Sequence, residues 1–156
     1  MQAWRIGTDT PTTLAEDMNG AGARISGGRW NRPGMAVVYS SESIALAAIE
    51  TLVHLPSAGL PLNRYLVRIE IPEAIWKARD EITGQKAPVG WDALPVGKVS
   101  LDYGDDWIKR GRSAILVVPS IAVPEERNIL INPAHPDSAR ITARKLRRWT
   151  YDTRLR

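Results

Sequence analysis

Apolar and polar residues recur with different periods along this 156-residue chain, and the periods mark its elements. In residues 65–71, YLVRIEI, Tyr65, Val67, Ile69 and Ile71 fall on alternate positions and predict a half-buried strand ended by Pro72. Two unbroken apolar runs, SAILVVP over 113–119 and NILIN over 128–132 before Pro133, predict central strands. A shorter run, Ala36 to Ser40, predicts another buried strand after an irregular, Gly-rich start. Ser41 can then cap a helix from about Glu42 to Leu55, with Ile49, Leu52 and Val53 turned to the core. Leu46, Glu50 and His54 share one flank of that helix at i, i+4 and i+8, so the Glu50 carboxylate and the His54 imidazole can hydrogen-bond each other. Trp76 to Gly97 is rich in Gly, Pro and polar residues and reads as a long surface excursion, followed by a short helix around Asp105 to Arg110. In the tail, ITARK and WTYDTRL alternate and suggest strands. The sum is an α+β domain with a mostly β core and a few short helices.

Composition narrows the class. Hydrophobic residues at 44% and charged residues at 24% describe a folded chain, and the length predicts one domain over 1–156. No window approaches the ~20 apolar residues of a membrane span, and MQAWRIGTDT has no apolar leader, so the expected location is the cytoplasm. With no cysteine there is no disulfide, thiolate metal site or cysteine nucleophile, and two isolated histidines predict no metal centre. The net charge of +4 is unevenly placed: residues 139–156 carry +6, which leaves −2 for the rest. This basic tail is either a solvated face or a surface for an acidic partner.

Residue types then suggest chemistry. Arg29 lies in GGRWN, where flanking glycines allow close backbone approach and the guanidinium offers a bidentate fork for phosphate or carboxylate. The alternative is a structural ion pair in a turn. Tyr39 can stack on a flat heterocycle or be a core tyrosine with a satisfied hydroxyl. Glu50 stands in a helix rich in Ala, Ile and Leu, so it is either solvated or deliberately placed at a site. No GxGxxG follows a strand, which gives no support to a dinucleotide-binding hydride-transfer site.

Taken in order, GGRWNRPGMAVVYSSES, AAIETLVH, ILVVPSIAVPEERNILINPAHPD and the ending WTYDTRL resemble the RES-domain toxins of bacterial toxin–antitoxin systems, named for Arg, Glu and Ser residues. The resemblance implies an ADP-ribosyltransferase-like fold that binds NAD and cleaves its nicotinamide–ribose bond without a metal. It also implies silencing by a cognate antitoxin with an Xre-like helix-turn-helix region, with no membrane and no nucleic acid contacted except through that antitoxin. By resemblance the catalytic residues are Arg29, Tyr39, Glu50 and Ser120, with Ser113 a competitor for the serine. NAD would be held by Arg29, Trp30, Asn31, Tyr39 and Ser120, and Asn128, Asn132 and His135 either shape the pocket or serve as turn residues. In this scheme Glu50 stabilises the oxocarbenium-like ribose, Arg29 holds the pyrophosphate, Tyr39 packs on nicotinamide or ribose, and Ser120 bonds the ribose or carboxamide. NAD depletion with water or phosphate as acceptor stands first among the expected activities, protein ADP-ribosylation second. A nucleic-acid-binding module using the basic tail stands third.

Overall fold

A computed structural model of the chain describes residues 1–55, 59–83 and 85–155. Its centre is a seven-stranded sheet in the order β4-β5-β6-β2-β1-β3-β7, formed by β1 (Gln2–Gly7), β2 (Val38–Ser41), β3 (Tyr65–Glu70), β4 (Asp80–Glu81), β5 (Ile115–Pro119), β6 (Arg127–Ile131) and β7 (Thr142–Arg148). All neighbours are antiparallel except β4 and β5. The helices are α1 (Ala21–Ser26), α2 (Ile44–Leu52), α3 (Glu73–Lys77) and α4 (Lys98–Arg110). The architecture is α+β with a mostly β core, as the periodicity predicts.

The apolar runs behave as buried strands because both of their faces are covered. Ile115, Val117, Ile129 and Ile131 pack against Ala3, Val67 and Ile69, while Leu116, Val118 and Leu130 pack on the other side against Trp30, Trp107 and Ile108. α4 can approach this closely because residue 104 is glycine: a Cβ there would fall on the Trp30 carbonyl. On the far side of β1 and β3, Ala47 and Ala48 of α2 cover Ile6 and Leu66.

Several elements differ from the sequence reading. The start is not irregular: β1 pairs with β3 over six residues, Gln2 to Gly7. Its period is disguised by Arg5, a half-buried residue whose guanidinium donates to the Ala15 and Asp17 carbonyls; desolvation of the charge pushes its pKa down to about 10. α2 is shorter than expected and is capped by Ser43, whose hydroxyl accepts the Leu46 N–H at 3.1 Å. Ser41 is instead the last residue of β2. Leu46, Ala47 and Ala48 face inward, whereas Ile49 and Val53 are exposed, because the helix is rolled to aim Glu50 at the ends of β5 and β6. The 76–97 excursion contains the end of α3 and all of β4, with Gly84 outside the described residues. α4 begins seven residues before the expected helix, and its buried Asp105 and half-exposed Asp102 are both paired with Arg32. ITARK does enter β7, but WTYDTRL is no strand: Tyr151 is buried, Thr153–Leu155 forms a 3₁₀ turn, and Arg156 lies outside the described residues. Among the described residues no helix is long and apolar enough to cross a membrane.

Candidate functional site

Glu50 comes from the last turns of α2, Ser120 from the residue after β5 and Asn128 from β6, and the fold brings all three together. One carboxylate oxygen, Glu50 Oε1, accepts from Ser120 Oγ at 2.7 Å and from Asn128 Nδ2 at 2.6 Å. Ser120 is itself buried and accepts the Val123 N–H at 3.0 Å, while Ser41 Oγ donates to Asn128 Oδ1 at 2.7 Å. Among the described residues no donor reaches Oε2. The Glu50 carboxylate is thus held from one side and open on the other.

Arg29 occupies a tight turn in which the Gly28 N–H donates to the Asn31 carbonyl at 2.9 Å. The glycine at 28 serves the protein itself: a Cβ there would lie 2.6 Å from the Tyr39 hydroxyl oxygen. Tyr39 in turn donates to Asn31 Oδ1 at 2.8 Å and accepts the Trp30 N–H at 3.1 Å. Burial raises the Tyr39 pKa far above its usual range, so the phenol remains a neutral donor, and its ring is left half-buried. The Arg29 guanidinium donates through Nη1 to the Trp91 and Ala93 carbonyls, both at 3.0 Å. Burial lowers its pKa, opposed by the negative charges of Asp92 and then Glu50.

The remaining candidates divide cleanly. Trp30 is buried and stacks on Trp91 with ring centroids 5.9 Å apart. Asn31 is fully buried, and its amide donates to the Ala23, Arg32 and Met35 carbonyls. Both build the turn that presents Arg29 and Tyr39. Ser113 lies at the opposite end of β5 from Ser120, engaged with Asp80 and Trp107. Asn132 and His135 act as turn residues: Asn132 binds the Ile108 carbonyl and Ala134 N–H, and His135 accepts the Asp137 N–H. The expected Glu50 to His54 side-chain bond is absent, because His54 Nδ1 contacts the Glu50 backbone carbonyl at 2.7 Å. An open depression of about 660 Å³ beside α4 is lined by Arg32, Val99, Asp102 and Tyr103 and includes none of the four principal candidates. The part Ser41 plays and the carbonyls of Trp91 and Ala93 are not legible in the sequence, since Ser41 reads there as a helix cap and main-chain acceptors leave no mark in residue types.

Comparison with known proteins supplies the lineage. The RES domain family model matches residues 2–154. The chain is 56% identical over 152 residues to the Prs ADP-ribosylating toxin of Sphingobium sp. (strain YBL2), covering 97% of this chain and 94% of that one. It is 37% identical over 122 residues to a Toxin Res of Yersinia enterocolitica, covering 78% of each chain, and 32% identical over 159 residues to a Toxin Res of Pseudomonas putida, covering 99% of each. Its fold is shared with a chain of the M. tuberculosis MbcT–MbcA toxin–antitoxin complex, with a TM-score of 0.69 at 15% identity, over 96% of this chain and 84% of that chain. With a family match over nearly its whole length, the chain belongs to the RES domain family.

Proposed function

We propose that the chain is the toxin of a toxin–antitoxin pair and that it cleaves the nicotinamide–ribose bond of NAD. The observation that carries this reading is the Glu50 carboxylate, anchored through Oε1 by Ser120 and Asn128 with no donor among the described residues on Oε2. As the C–N bond breaks, its electron pair leaves with nicotinamide and positive charge grows on the ribose. A fixed carboxylate stabilises that charge. The departing ring is already cationic in NAD, so the chemistry asks for neither a strong general acid nor a metal.

The hydrogen bonds refine the roles. Arg29 keeps Nη1 on the 91–93 backbone and offers its remaining N–H groups to the pyrophosphate, which positions the ribose through binding far from the reacting bond. Tyr39 acts through its ring, its hydroxyl being engaged on both sides. Ser120 holds Glu50, and Trp30 and Asn31 hold the turn, beside the NAD contacts we retain for them.

The acceptor of ADP-ribose separates two readings. The name of the 56% identical relative, an ADP-ribosylating toxin, favours transfer of ADP-ribose to a target, which we take to be a protein; water or inorganic phosphate is the other. The structural neighbour, a toxin–antitoxin complex, supports silencing by an antitoxin, for which we retain the Xre-like type. Purified protein free of antitoxin, incubated with NAD and a metal chelator, is expected to release nicotinamide. Mass spectrometry with phosphate or bacterial lysate added then identifies the acceptor. NAD left intact by folded protein under all these conditions overturns the proposal, as does harmless expression of the chain alone.

A further inference from the structure

We infer that Asn128, set by Ser41, is a positioning residue that fixes the plane in which the Glu50 carboxylate faces the substrate; this rests on the NAD-cleaving reading above. The hydrogen-bond directions leave no freedom. An ionised carboxylate only accepts, so Asn128 must turn its Nδ2 to Glu50, at 2.6 Å, and its Oδ1 away. That oxygen meets Ser41 Oγ at 2.7 Å, and Ser41 must donate. The two residues are register partners on adjacent strands, Ser41 on β2 and Asn128 on β6, and Ser41 is buried. Backbone pairing therefore fixes their separation before either side chain is placed.

Ser120 completes the arrangement from the other strand end. Its hydroxyl accepts the Val123 N–H, which commits its own proton to Glu50 Oε1. Two donors thus converge on a single oxygen. The last torsion of a glutamate is broad and roughly two-fold, so an unrestrained carboxylate would present either oxygen at many angles. Loading both donors onto Oε1 holds the plane of the group and leaves Oε2 with its lone pairs unshared for the developing cation. Asn128 never touches the substrate in this scheme. Its influence passes wholly through Glu50.

Three variants test this. Asn128→Ala is expected to lower kcat for NAD cleavage about 10- to 100-fold with little change in KM, the scale of misplacing a catalytic group. Ser41→Ala should give a smaller loss, and the double variant should lose no more than Asn128→Ala, since both act through one amide. Asn128→Asp keeps the shape and carries the distinctive signature. Two carboxylates this close share a proton, so at low pH the carboxyl introduced by that change is protonated and still donates to Glu50, and the rate falls as pH rises and the pair loses that proton. A kcat for folded Asn128→Ala within about two-fold of wild type, or an Asn128→Asp variant whose pH profile matches wild type, overturns the inference. A readout without NAD separates this from failure of the functional reading. In ¹⁵N NMR of the free protein, the Asn128 side-chain amide protons should exchange slowly with solvent and shift in both Ser41→Ala and Glu50→Gln. Fast exchange, or insensitivity to both changes, would dissolve the positioning claim even for an active enzyme.

Discussion

The two halves of the sheet are built from similar strands and do different work. β4, β5, β6 and β2 form a half whose central strands are covered on both faces, with Ile115 to Val118 and Ile129 to Ile131 all fully buried. β1, β3 and β7 form a half that ends in an exposed edge, where Thr142, Arg144, Leu146, Arg147 and Arg148 face solvent. The halves meet at the register pair of Trp4 and Ser41. Tyr39, Ser41, Ser120 and Asn128 all come from the doubly covered half or its strand ends, and Glu50 is delivered to it from α2. A site that needs side chains held to a fraction of an ångström is thus placed where interior packing leaves the least freedom. The other half buttresses the core and carries much of the charge.

Truncations should show the contrast at its largest. Leu130→Ala, in the doubly covered half, is expected to cost about 2–5 kcal/mol, the range for deleting a buried leucine. Leu146→Ala, on the exposed edge, should change stability by no more than about 0.5 kcal/mol. Urea unfolding of the two variants checks this, and equal losses would mean that β7 is packed far more tightly than its exposure indicates.

Within the site the expected effects are on rate. Glu50→Gln can still accept from Ser120 and Asn128 through its amide oxygen, so it should fold normally while losing ~10²-fold or more in turnover, the scale of one well-placed electrostatic group. Arg29→Ala should weaken NAD binding as well as turnover, and should also free the backbone at Trp91 and Ala93. Arg29→Lys is expected to recover part of the binding, as a point charge without the planar fork. Steady-state kinetics beside a melting curve distinguish these outcomes. Retention of most activity by Glu50→Gln would remove the chemistry from this half of the molecule.

The same contrast explains what the chain revealed in advance. Doubly covered strands are written as unbroken apolar runs, so 113–119 and 128–132 were legible, and 65–71 was legible through its alternation. β1 was hidden because Arg5 occupies an inward position that only the carbonyls of Ala15 and Asp17 make tolerable. The roll of α2 was hidden because Ile49 and Val53 look like core residues, and nothing local says that Glu50 must reach two strand ends from distant sequence. Arg29, Tyr39 and Glu50 could be picked out by type and spacing. Ser120 and Asn128 are reached through the family resemblance alone, and their pairing with Glu50 was not legible: Ser120 lies 70 residues from Glu50 and Asn128 lies 78, and such pairings exist only after the sheet has formed.

The smallest expected effect concerns charge in the buttressing half. Asp9 accepts from Lys145 Nζ at 2.7 Å and from the Ala15 N–H at 2.7 Å, tying the loop after β1 to β7. The Lys145 hydrogen bond, then the Ala15 N–H, lowers the Asp9 pKa in the folded protein, while the same pairing raises that of Lys145. A carboxyl whose folded pKa is depressed adds stability above its unfolded value, ~3.9 for aspartate, and loses that contribution as pH falls through the folded value. Lys145 has the opposite sign: its contribution is present below its unfolded value and is lost as pH rises through the folded one. Asp9→Asn should therefore lower the urea midpoint at neutral pH by a small amount, and the difference from wild type should shrink on acidification as Asp9 protonates. High salt should shrink it at neutral pH, because the pair is close to solvent. NAD cleavage by this variant should match wild type, since the tie lies in the half that supplies no site residue. A deficit that stayed constant down to acid pH would show that the charge of Asp9 contributes nothing and leave the Lys145 pair without weight; a loss of cleavage in the folded variant would join the two halves into one functional unit.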